Sequence, residues 1–285
     1  MGPSGIQRLV EALRSDPDDP RHWVALTRVL YSLGDWEGAR KVIDKAHAAA
    51  IDHPQLMAMR QAMQGAPGGR KIFCIGRNKT GTTSLEAALR TLGFRLGMQR
   101  RGELLRRDWG KRDFTRIIEL CRTADAFQDV PFSFNDTYRA LDEAFPGSKF
   151  ILTVRDTPEQ WYESVMGFYA RLGSKGRLPT AEEFKALGYR YKGDYWESEQ
   201  LNHGVDETTL YDRERYVAAY LAHNNQVAAH FRERPGDLLV LNVAEPAAME
   251  KLCLFLGVPY LGQPMPHLNR TPTAHANRPA PESTK

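Results

Sequence analysis

The chain has 285 residues, of which 42% are hydrophobic and 26% are charged, so its composition suits a folded core and argues against extended disorder. Its 39 lysines and arginines against 35 aspartates and glutamates give a formal charge of +4, too small an excess to indicate a nucleic-acid partner. No apolar run approaches the roughly 20 residues of a membrane-spanning helix. The length predicts one large domain, or a large domain with a small one.

The cysteines and the N-terminus predict a cytoplasmic protein. Cys74, Cys121 and Cys253 are far apart and form neither a disulfide framework nor a zinc spacing. The N-terminal residues lack the apolar stretch of a secretory signal, and Ile6 stands where a myristoylation site needs Ser or Thr. The eight histidines form no metal-binding pair in the sequence, so we expect no metal requirement.

Residues 1–64 are predicted to form a small helical unit. Apolar residues recur at helical spacing over Trp23–Leu30, and Ala39 and Ala46 continue the pattern after a tight turn at Gly34–Asp35. The arrangement resembles a tetratricopeptide repeat, in which small residues let the second helix pack closely. Such units need neighbours to cover their apolar faces, which predicts packing on the rest of the chain or on a protein partner. A helical hairpin without a binding role fits the pattern equally well.

Glycine and proline then mark a boundary. The composition of residues 65–70 predicts a linker, and the main domain is expected over 71–270. Residues 271–285 are polar and rich in proline, which predicts a disordered tail.

The main domain begins with a predicted phosphate-binding loop. Residues 71–76 are short, apolar and bounded by glycine, which predicts a buried strand, and residues 85–93 read as a helix closed by glycine. A loop between a strand and a helix N-terminus offers free backbone N–H groups and a favourable dipole to an anion. Gly81 permits close approach of the backbone, and Lys79 adds a positive charge.

The loop differs from the loop of nucleoside-triphosphate enzymes. Gly76 and Gly81 have the spacing of that motif, but Thr82 stands where it requires lysine, and Lys79 lies two residues before Gly81. The string Lys-Thr-Gly-Thr-Thr-Ser after a strand resembles the loop of sulfotransferases that use 3′-phosphoadenosine 5′-phosphosulfate (PAPS). The resemblance implies that the loop holds the 5′-phosphate and the departing sulfuryl group. The loop residues expected at the donor are Arg77, Asn78, Lys79, Thr80, Gly81, Thr82, Thr83 and Ser84.

A second signature follows the predicted strand over 149–154. In the same family an arginine at such a strand end and a serine on the next helix hold the 3′-phosphate of PAPS. The resemblance assigns these roles to Arg155 and Ser164, and arginine suits the task because it binds phosphate bidentately. The spacing of nine residues exceeds the expected eight, and Thr157 before the helix accounts for the difference. An ion pair of Arg155 with Asp156 is the alternative.

Asp129 is the candidate general base. It lies in an apolar stretch, 126–131, that predicts a strand, and it precedes Val130 and Pro131. A subgroup of bacterial-type sulfotransferases is similar here, with Asp, an apolar residue and Pro, and the resemblance implies that Asp129 takes the proton of the acceptor hydroxyl while Lys79 neutralises charge on the transferred group. A cap on the proline turn or an ion pair with Lys79 is the alternative for Asp129.

Three further segments carry weaker signals. The basic stretch 95–116 suggests contact with an anionic acceptor, or else a solvated face. Residues 167–208 are predicted to be an irregular insert whose aromatic side chains select substrate or pack a lid. The segment 264–270 resembles the C-terminal Pro-His-x-Asn segment of the sulfotransferase subgroup, which implies that Arg270 closes over the 3′-phosphate.

The sequence therefore predicts an α/β three-layer sandwich with a mainly parallel sheet, preceded by the tetratricopeptide-like unit. The resemblance over 71–270 implies transfer of a sulfuryl group from PAPS to a hydroxyl of a glycan, lipid or small metabolite. A nucleotide kinase or NTPase is one rival, weakened by the missing Gly-Lys-Ser/Thr string and Walker-B acid. An inactive tetratricopeptide scaffold is the other, weakened by the intact Lys79, Asp129 and Arg155.

Overall fold

A computed structural model of the chain describes residues 3–32, 36–63 and 70–268. Within these residues, four helices precede a parallel four-stranded sheet that has helices on both faces. This confirms the predicted α/β fold with its N-terminal helical region. No helix of the described ranges combines the length and the apolar character needed to cross a membrane.

The N-terminal helices pack around an apolar cluster of their own. They are α1 (Pro3–Ser15), α2 (Pro20–Ser32), α3 (Trp36–Ala48) and α4 (Pro54–Met63). Ala39 and Ala46 of α3 are buried in one cluster with Trp23 of α2, as close packing of two helices requires. The predicted turn at Gly34–Asp35 and most of the predicted linker, 65–69, lie outside the described residues. The assignment as a tetratricopeptide repeat stays a prediction, and so do the domain boundaries.

The sheet orders its strands β2-β1-β3-β4, and every neighbouring pair is parallel. The strands are β1 (Ile72–Cys74), β2 (Ala126–Phe127), β3 (Lys149–Thr153) and β4 (Leu238–Leu241). Phe73 of β1 lies opposite Phe127 on one side and Phe150 on the other. Because the strands are parallel, their carboxyl ends meet at one edge, where ligands bind in open α/β sheets.

Helices cover both faces of the sheet. In chain order they are α5 (Thr82–Thr91), α6 (Gln99–Glu103), α7 (Arg106–Gly110), α8 (Thr115–Cys121), α9 (Thr137–Ala144), α10 (Pro158–Leu172), α11 (Ala181–Ala186), α12 (Asp194–His203), α13 (Arg213–His230) and α14 (Ala248–Leu256). Ile72 and Cys74 pack in a cluster with α5 and α14. Phe73 packs on the opposite face with residues of α8, α9 and α13. Successive side chains of β1 therefore point to opposite faces of the sheet, and both faces are covered by helices. The sheet and the two helical layers form a three-layer sandwich.

Two predicted elements differ from the structure. The strand predicted over 126–131 ends at Phe127, because Asp129 has a φ of +63° and this left-handed conformation interrupts a strand. The segment 167–208 is largely helical, since α10 continues to Leu172 and both α11 and α12 lie within it. A capping box of Thr180 and Glu183 begins α11, a signal that the irregular prediction overlooked.

Candidate active site

The loop between β1 and α5 is anchored on the end of β3. The Thr80 hydroxyl donates to the Arg77 carbonyl oxygen at 2.5 Å and lies 2.5 Å from the hydroxyl oxygen of Thr153. Gly76 packs so closely on Thr153 that a Cβ atom would lie 2.1 Å from its hydroxyl oxygen. The Thr80 side chain is therefore turned into the protein, and its contribution at this site is to shape the loop.

Gly81 opens the N-terminus of α5 toward a cavity. Its φ of +100° is left-handed, and a Cβ atom would lie 2.2 Å from a methyl carbon of Val243, so glycine is needed for two reasons. Thr82 and Thr83 of the first helical turn line the cavity. The exposed backbone N–H groups and the helix dipole favour an anion at this place.

Ser84 connects the loop to the C-terminal segment. Its hydroxyl oxygen accepts a hydrogen bond from the Leu268 backbone N–H at 3.0 Å, and its side chain is buried. Leu268 itself lines the cavity. Arg270 lies outside the described residues, so the role expected for it stays a prediction.

Lys79 extends from the loop into the cavity. Its ammonium nitrogen lies 4.2 Å above the centroid of the Phe168 ring, a cation–π contact. Burial lowers the pKa of Lys79, the nearby Arg171 lowers it further, and the Asp129 carboxylate opposes both effects. Among the described residues no carboxylate forms an ion pair with Lys79, so its charge can meet an anionic ligand.

Arg155 and Ser164 reach the same cavity from β3 and α10. The Arg155 Nε donates to the Lys79 carbonyl oxygen at 2.8 Å, and burial lowers the pKa of the guanidinium. Thr157 is the N-cap of α10, where its hydroxyl accepts from the Gln160 N–H at 3.1 Å. Thr157, the residue expected to account for the longer Arg-to-Ser spacing, therefore caps the helix that carries Ser164.

Asp129 lies at the cavity wall, in the turn after β2. Its carboxylate accepts from the Val130 N–H at 2.9 Å. Burial, and after it the Glu103 carboxylate, raise the pKa of Asp129, which is about 6 once the opposing contacts are included. The Val130 N–H, Lys79 and the Asn78 side chain oppose this shift. The result is a carboxylate that is more basic than an ordinary aspartate.

These groups share one cavity of about 410 Å³. It brings together the loop, the first turn of α5, Asp129, Arg155 and Ser164, although up to about 90 residues of chain separate them. Its other wall is formed by α10 and by residues 187–203, which include α12 and are called the lid below.

Comparison with known families identifies the fold. A family model described as a sulfotransferase domain matches residues 71–274. The chain belongs to the sulfotransferase domain family. It is accordingly a transferase enzyme, and the family assignment predicted from the loop and the Arg155 strand is confirmed. A comparison with curated proteins finds no match. The N-terminal helices lie outside the matched range.

Arg77 has a different environment from the rest of this sulfotransferase's loop. Its guanidinium is buried and donates to the Ser133 carbonyl oxygen at 3.2 Å, to Asn135 Oδ1 at 2.7 Å and to Asn202 Oδ1. Burial lowers the pKa of Arg77 to about 9, and Glu199 opposes this shift. Arg77 therefore ties the loop to the turn after β2 and to α12 of the lid.

Asn78 links the loop to two other elements. Its side-chain oxygen accepts from the Ser133 hydroxyl at 2.9 Å, and its carbonyl oxygen accepts from the Trp161 indole N–H at 2.9 Å. These bonds connect the loop to the turn of Asp129 and to α10.

The basic stretch 95–116 is largely neutralised. Five of its eight cationic residues form ion pairs with carboxylates: Arg95 with Asp125, Arg106 with Asp194, Arg107 with Glu197, Arg112 with Asp136 and Arg116 with Asp108. Of these, Arg106 lines the cavity. The other four paired arginines are more than half exposed, which fits the solvated face that the sequence offered as the alternative, and contact with an anionic acceptor stays a prediction.

Sequence reasoning overlooked a buried acidic group in the cavity wall. Glu199 of the lid accepts hydrogen bonds from the hydroxyls of Tyr169 and Tyr216, the latter at 2.5 Å. Burial raises the pKa of Glu199, and the two tyrosine hydrogen bonds and then Arg77 oppose that shift. No local sequence motif predicts that Glu199 is buried, because its hydrogen-bond partners come from α10 and α13.

Proposed function

We propose that this sulfotransferase moves the sulfuryl group from PAPS to an acceptor hydroxyl. The observation that carries the proposal is the meeting of Lys79, the open N-terminus of α5, Arg155 and Asp129 at one cavity. This reaction needs positively charged groups that bind the two phosphates of the donor. It also needs a carboxylate that accepts the proton of the acceptor hydroxyl.

The donor fits the cationic half of the cavity. The N–H groups at the start of α5 and the hydroxyls of Thr82 and Thr83 would bind the 5′-phosphate. Arg155, whose Nη atoms remain after Nε binds the loop, would bind the 3′-phosphate with Ser164. Asn78, Thr80, Ser84 and Arg77 would support these contacts by holding the loop in shape.

The transfer would follow the logic of in-line group transfer. The acceptor oxygen attacks sulfur and forms a new O–S bond while the bond between sulfur and the 5′-phosphate oxygen breaks. The phosphate oxygen leaves with the electron pair, giving 3′,5′-adenosine bisphosphate. Asp129 accepts the hydroxyl proton, and Lys79 offsets negative charge on the sulfuryl oxygens and the leaving phosphate. No step in this scheme assigns work to a metal ion.

The cellular setting is also a proposal. Cys74, Cys121 and Cys253 are free and buried, which supports a reducing, cytoplasmic compartment.

The reaction can be tested by donor consumption. PAPS labelled in its sulfuryl group is incubated with the protein and a mixture of phenols, alcohols, sugars and amines. We expect release of 3′,5′-adenosine bisphosphate and of an equal amount of labelled product, and we expect neither from the Lys79→Ala protein. Consumption of ATP without consumption of PAPS would contradict the proposal.

A further inference from the structure

The backbone of Lys79 is held in an uncommon conformation. Its φ of +71° is left-handed, which is rare for residues other than glycine, and its carbonyl oxygen accepts the hydrogen bond from Arg155. Strained residues of this kind cluster at functional sites, where the surrounding structure holds them. The flexible four-carbon side chain begins at this fixed point, so its contacts decide where the ammonium group lies.

The Lys79 ammonium lies against an aromatic ring. Its nitrogen is 4.2 Å from the centroid of Phe168, within the roughly 6 Å of a cation–π contact. Phe168 lies one turn after Ser164 on α10, so the two side chains share a face of that helix, and both line the cavity. The ring of Tyr195 from the lid meets Phe168 edge-on, with centroids 6.2 Å apart. This contact holds the Phe168 ring in its orientation.

Two charges draw the ammonium away from this ring. Arg171, at the C-terminal end of α10, has its guanidinium carbon 6.0 Å from the same ring centroid and repels Lys79. Asp129 attracts Lys79 from the turn after β2. Lys79 and Asp129, both within the described range 70–268, nevertheless form no ion pair despite their opposite charges. The ring therefore opposes both the repulsion and the attraction.

An ion pair between Lys79 and Asp129 would impair both groups. A carboxylate bound to an ammonium is a weaker base, because the pair favours the charged form of the carboxylate. An ammonium bound to a carboxylate attracts other anions less, because the two charges offset each other. The face of an aromatic ring holds a cation through its quadrupole and adds no counter-charge. Phe168 can thus hold the ammonium and leave its charge available.

We propose that Phe168 is a positioning residue for the transfer reaction, whose ring holds the Lys79 ammonium apart from Asp129 so that both groups keep their charges. This rests on the proposed function and adds a residue to its site. Phe168 acts through Lys79 and takes no part in bond formation.

Graded fluorination of Phe168 tests the proposal, because fluorine weakens the negative ring face that attracts the cation and changes the ring size little. The proteins carry 4-fluoro-, 3,5-difluoro- or 3,4,5-trifluorophenylalanine at this position. The rate is the release of 3′,5′-adenosine bisphosphate from saturating PAPS with a mixture of phenols, alcohols, sugars and amines. We expect a stepwise fall to a total loss of about 5- to 30-fold, which corresponds to about 1–2 kcal/mol. A wild-type rate with the trifluoro residue would overturn the proposal.

Phe168→Leu tests the separation of the two charges. Its rate should fall as far as that of the trifluoro protein, and Phe168→Tyr, which keeps the ring face, should stay within about 2-fold of the wild type. With the ring removed, Lys79 should pair with Asp129 and lower its pKa from about 6. The acidic decline of the pH–rate profile should then move to lower pH. A decline that does not move would contradict the separation, whatever the rate.

The other charged side chains near Lys79 and Asp129 are the same in wild type and variant, so they do not account for such a shift: Arg155, Arg171 and Glu103. Trifluorophenylalanine at Phe255 is the matched control. Phe255 lies outside the cavity, and the ammonium nitrogen of Lys149 lies 5.1 Å from its ring centroid. Fluorination there weakens a cation–π contact of the same kind and should leave the rate unchanged. An equal loss would show a general effect on the fold and would overturn the assignment to Phe168.

Measurements on the wild type separate this proposal from the proposed function. If the wild type binds 3′,5′-adenosine bisphosphate in calorimetry and consumes PAPS, but the fluorinated Phe168 proteins match its rate, the positioning role is wrong and the proposed function stands. If the wild type does neither, the proposed function fails. A crystal structure of Phe168→Leu then decides the separation of charges, which predicts that the Lys79 nitrogen moves to within about 4 Å of the Asp129 carboxylate. A nitrogen that stays in place would refute it.

Discussion

The Arg155 guanidinium and the Lys79 backbone are joined by a hydrogen bond of 2.8 Å from Nε to the carbonyl oxygen. This bond connects the end of β3 to the phosphate loop at the residue whose side chain enters the cavity. In the function that we propose, one arginine would support the loop assigned to the 5′-phosphate and would bind the 3′-phosphate through its remaining nitrogens. Donor recognition and loop geometry would then depend on the same side chain.

Arg155→Ala should remove discrimination for the 3′-phosphate. A charge-assisted hydrogen bond contributes about 1.5–3 kcal/mol, so we expect the preference for 3′,5′-adenosine bisphosphate over adenosine 5′-phosphate to fall about 10- to 100-fold. Calorimetric titration of both nucleotides measures this ratio. A ratio that stays at its wild-type value would remove Arg155 from the 3′-phosphate site.

Lys79→Ala should abolish turnover, because its ammonium group enters the cavity and forms no ion pair with a carboxylate among the residues described. We expect a loss of at least about 100-fold in kcat. Lys111→Ala changes an exposed lysine at the end of α7, outside the cavity, and should leave kcat unchanged. Comparable losses in both variants would show a general effect of charge instead of a role in transfer.

Asp129→Asn should lower kcat about 10²- to 10⁴-fold and spare nucleotide binding, since the amide cannot accept the proton. In the wild type, the rate should decline below a pH of about 6, where the Asp129 carboxylate becomes protonated. Glu103→Gln removes a neighbouring negative charge and should move this decline to lower pH. The measurements are pH–rate profiles and calorimetry with the bisphosphate; an equal loss of nucleotide affinity in Asp129→Asn would argue against a base.

The same raised pKa has a consequence for stability. Between the ordinary aspartate pKa near 4 and the folded value of about 6, the folded state binds more protons than the unfolded state, so stability falls as pH rises through this window. At neutral pH the buried charge costs on the order of 1–3 kcal/mol. Asp129→Asn should therefore raise the melting temperature at pH 7 and change it little at pH 4. A lower melting temperature at pH 7 would contradict this reasoning.

Gly81→Ala should destabilise the protein more than Gly147→Ala. Both glycines have positive φ, but a Cβ at Gly81 meets Val243 at 2.2 Å, whereas at Gly147 it meets open space. We expect about 1 kcal/mol for Gly147→Ala from the left-handed conformation alone and more than about 2 kcal/mol for Gly81→Ala. Urea unfolding measures both, and Val243→Ala in the Gly81→Ala background should recover part of the difference. Equal losses would show that Val243 adjusts without cost.

The contiguous parts of the site were predictable from the sequence. The loop from Gly76 to Ser84 and the strand before Arg155 carry their signals within a few residues, because a strand, a glycine and a helix start are local features. The alternation of Ile72, Phe73 and Cys74 between two clusters likewise follows from a strand buried on both faces.

The lid and the direction of Arg77 were not predictable in this way. Arg106 and Asp194 lie 88 residues apart, and Arg77 and Asn202 lie 125 residues apart. Such pairs depend on how α12 packs over the sheet edge, which no local pattern records. The contact between the rings of Phe168 and Tyr195 was not predictable for the same reason, because it also depends on how α12 packs.

Calorimetric titration with 3′,5′-adenosine bisphosphate, compared with ATP and Mg²⁺, tests the central claim most directly. We expect tight binding of the bisphosphate and weak or undetectable binding of ATP, since Arg155 and Ser164 are assigned to a 3′-phosphate that ATP lacks. Preference for ATP with Mg²⁺ would contradict the donor assignment and favour a nucleoside-triphosphate enzyme.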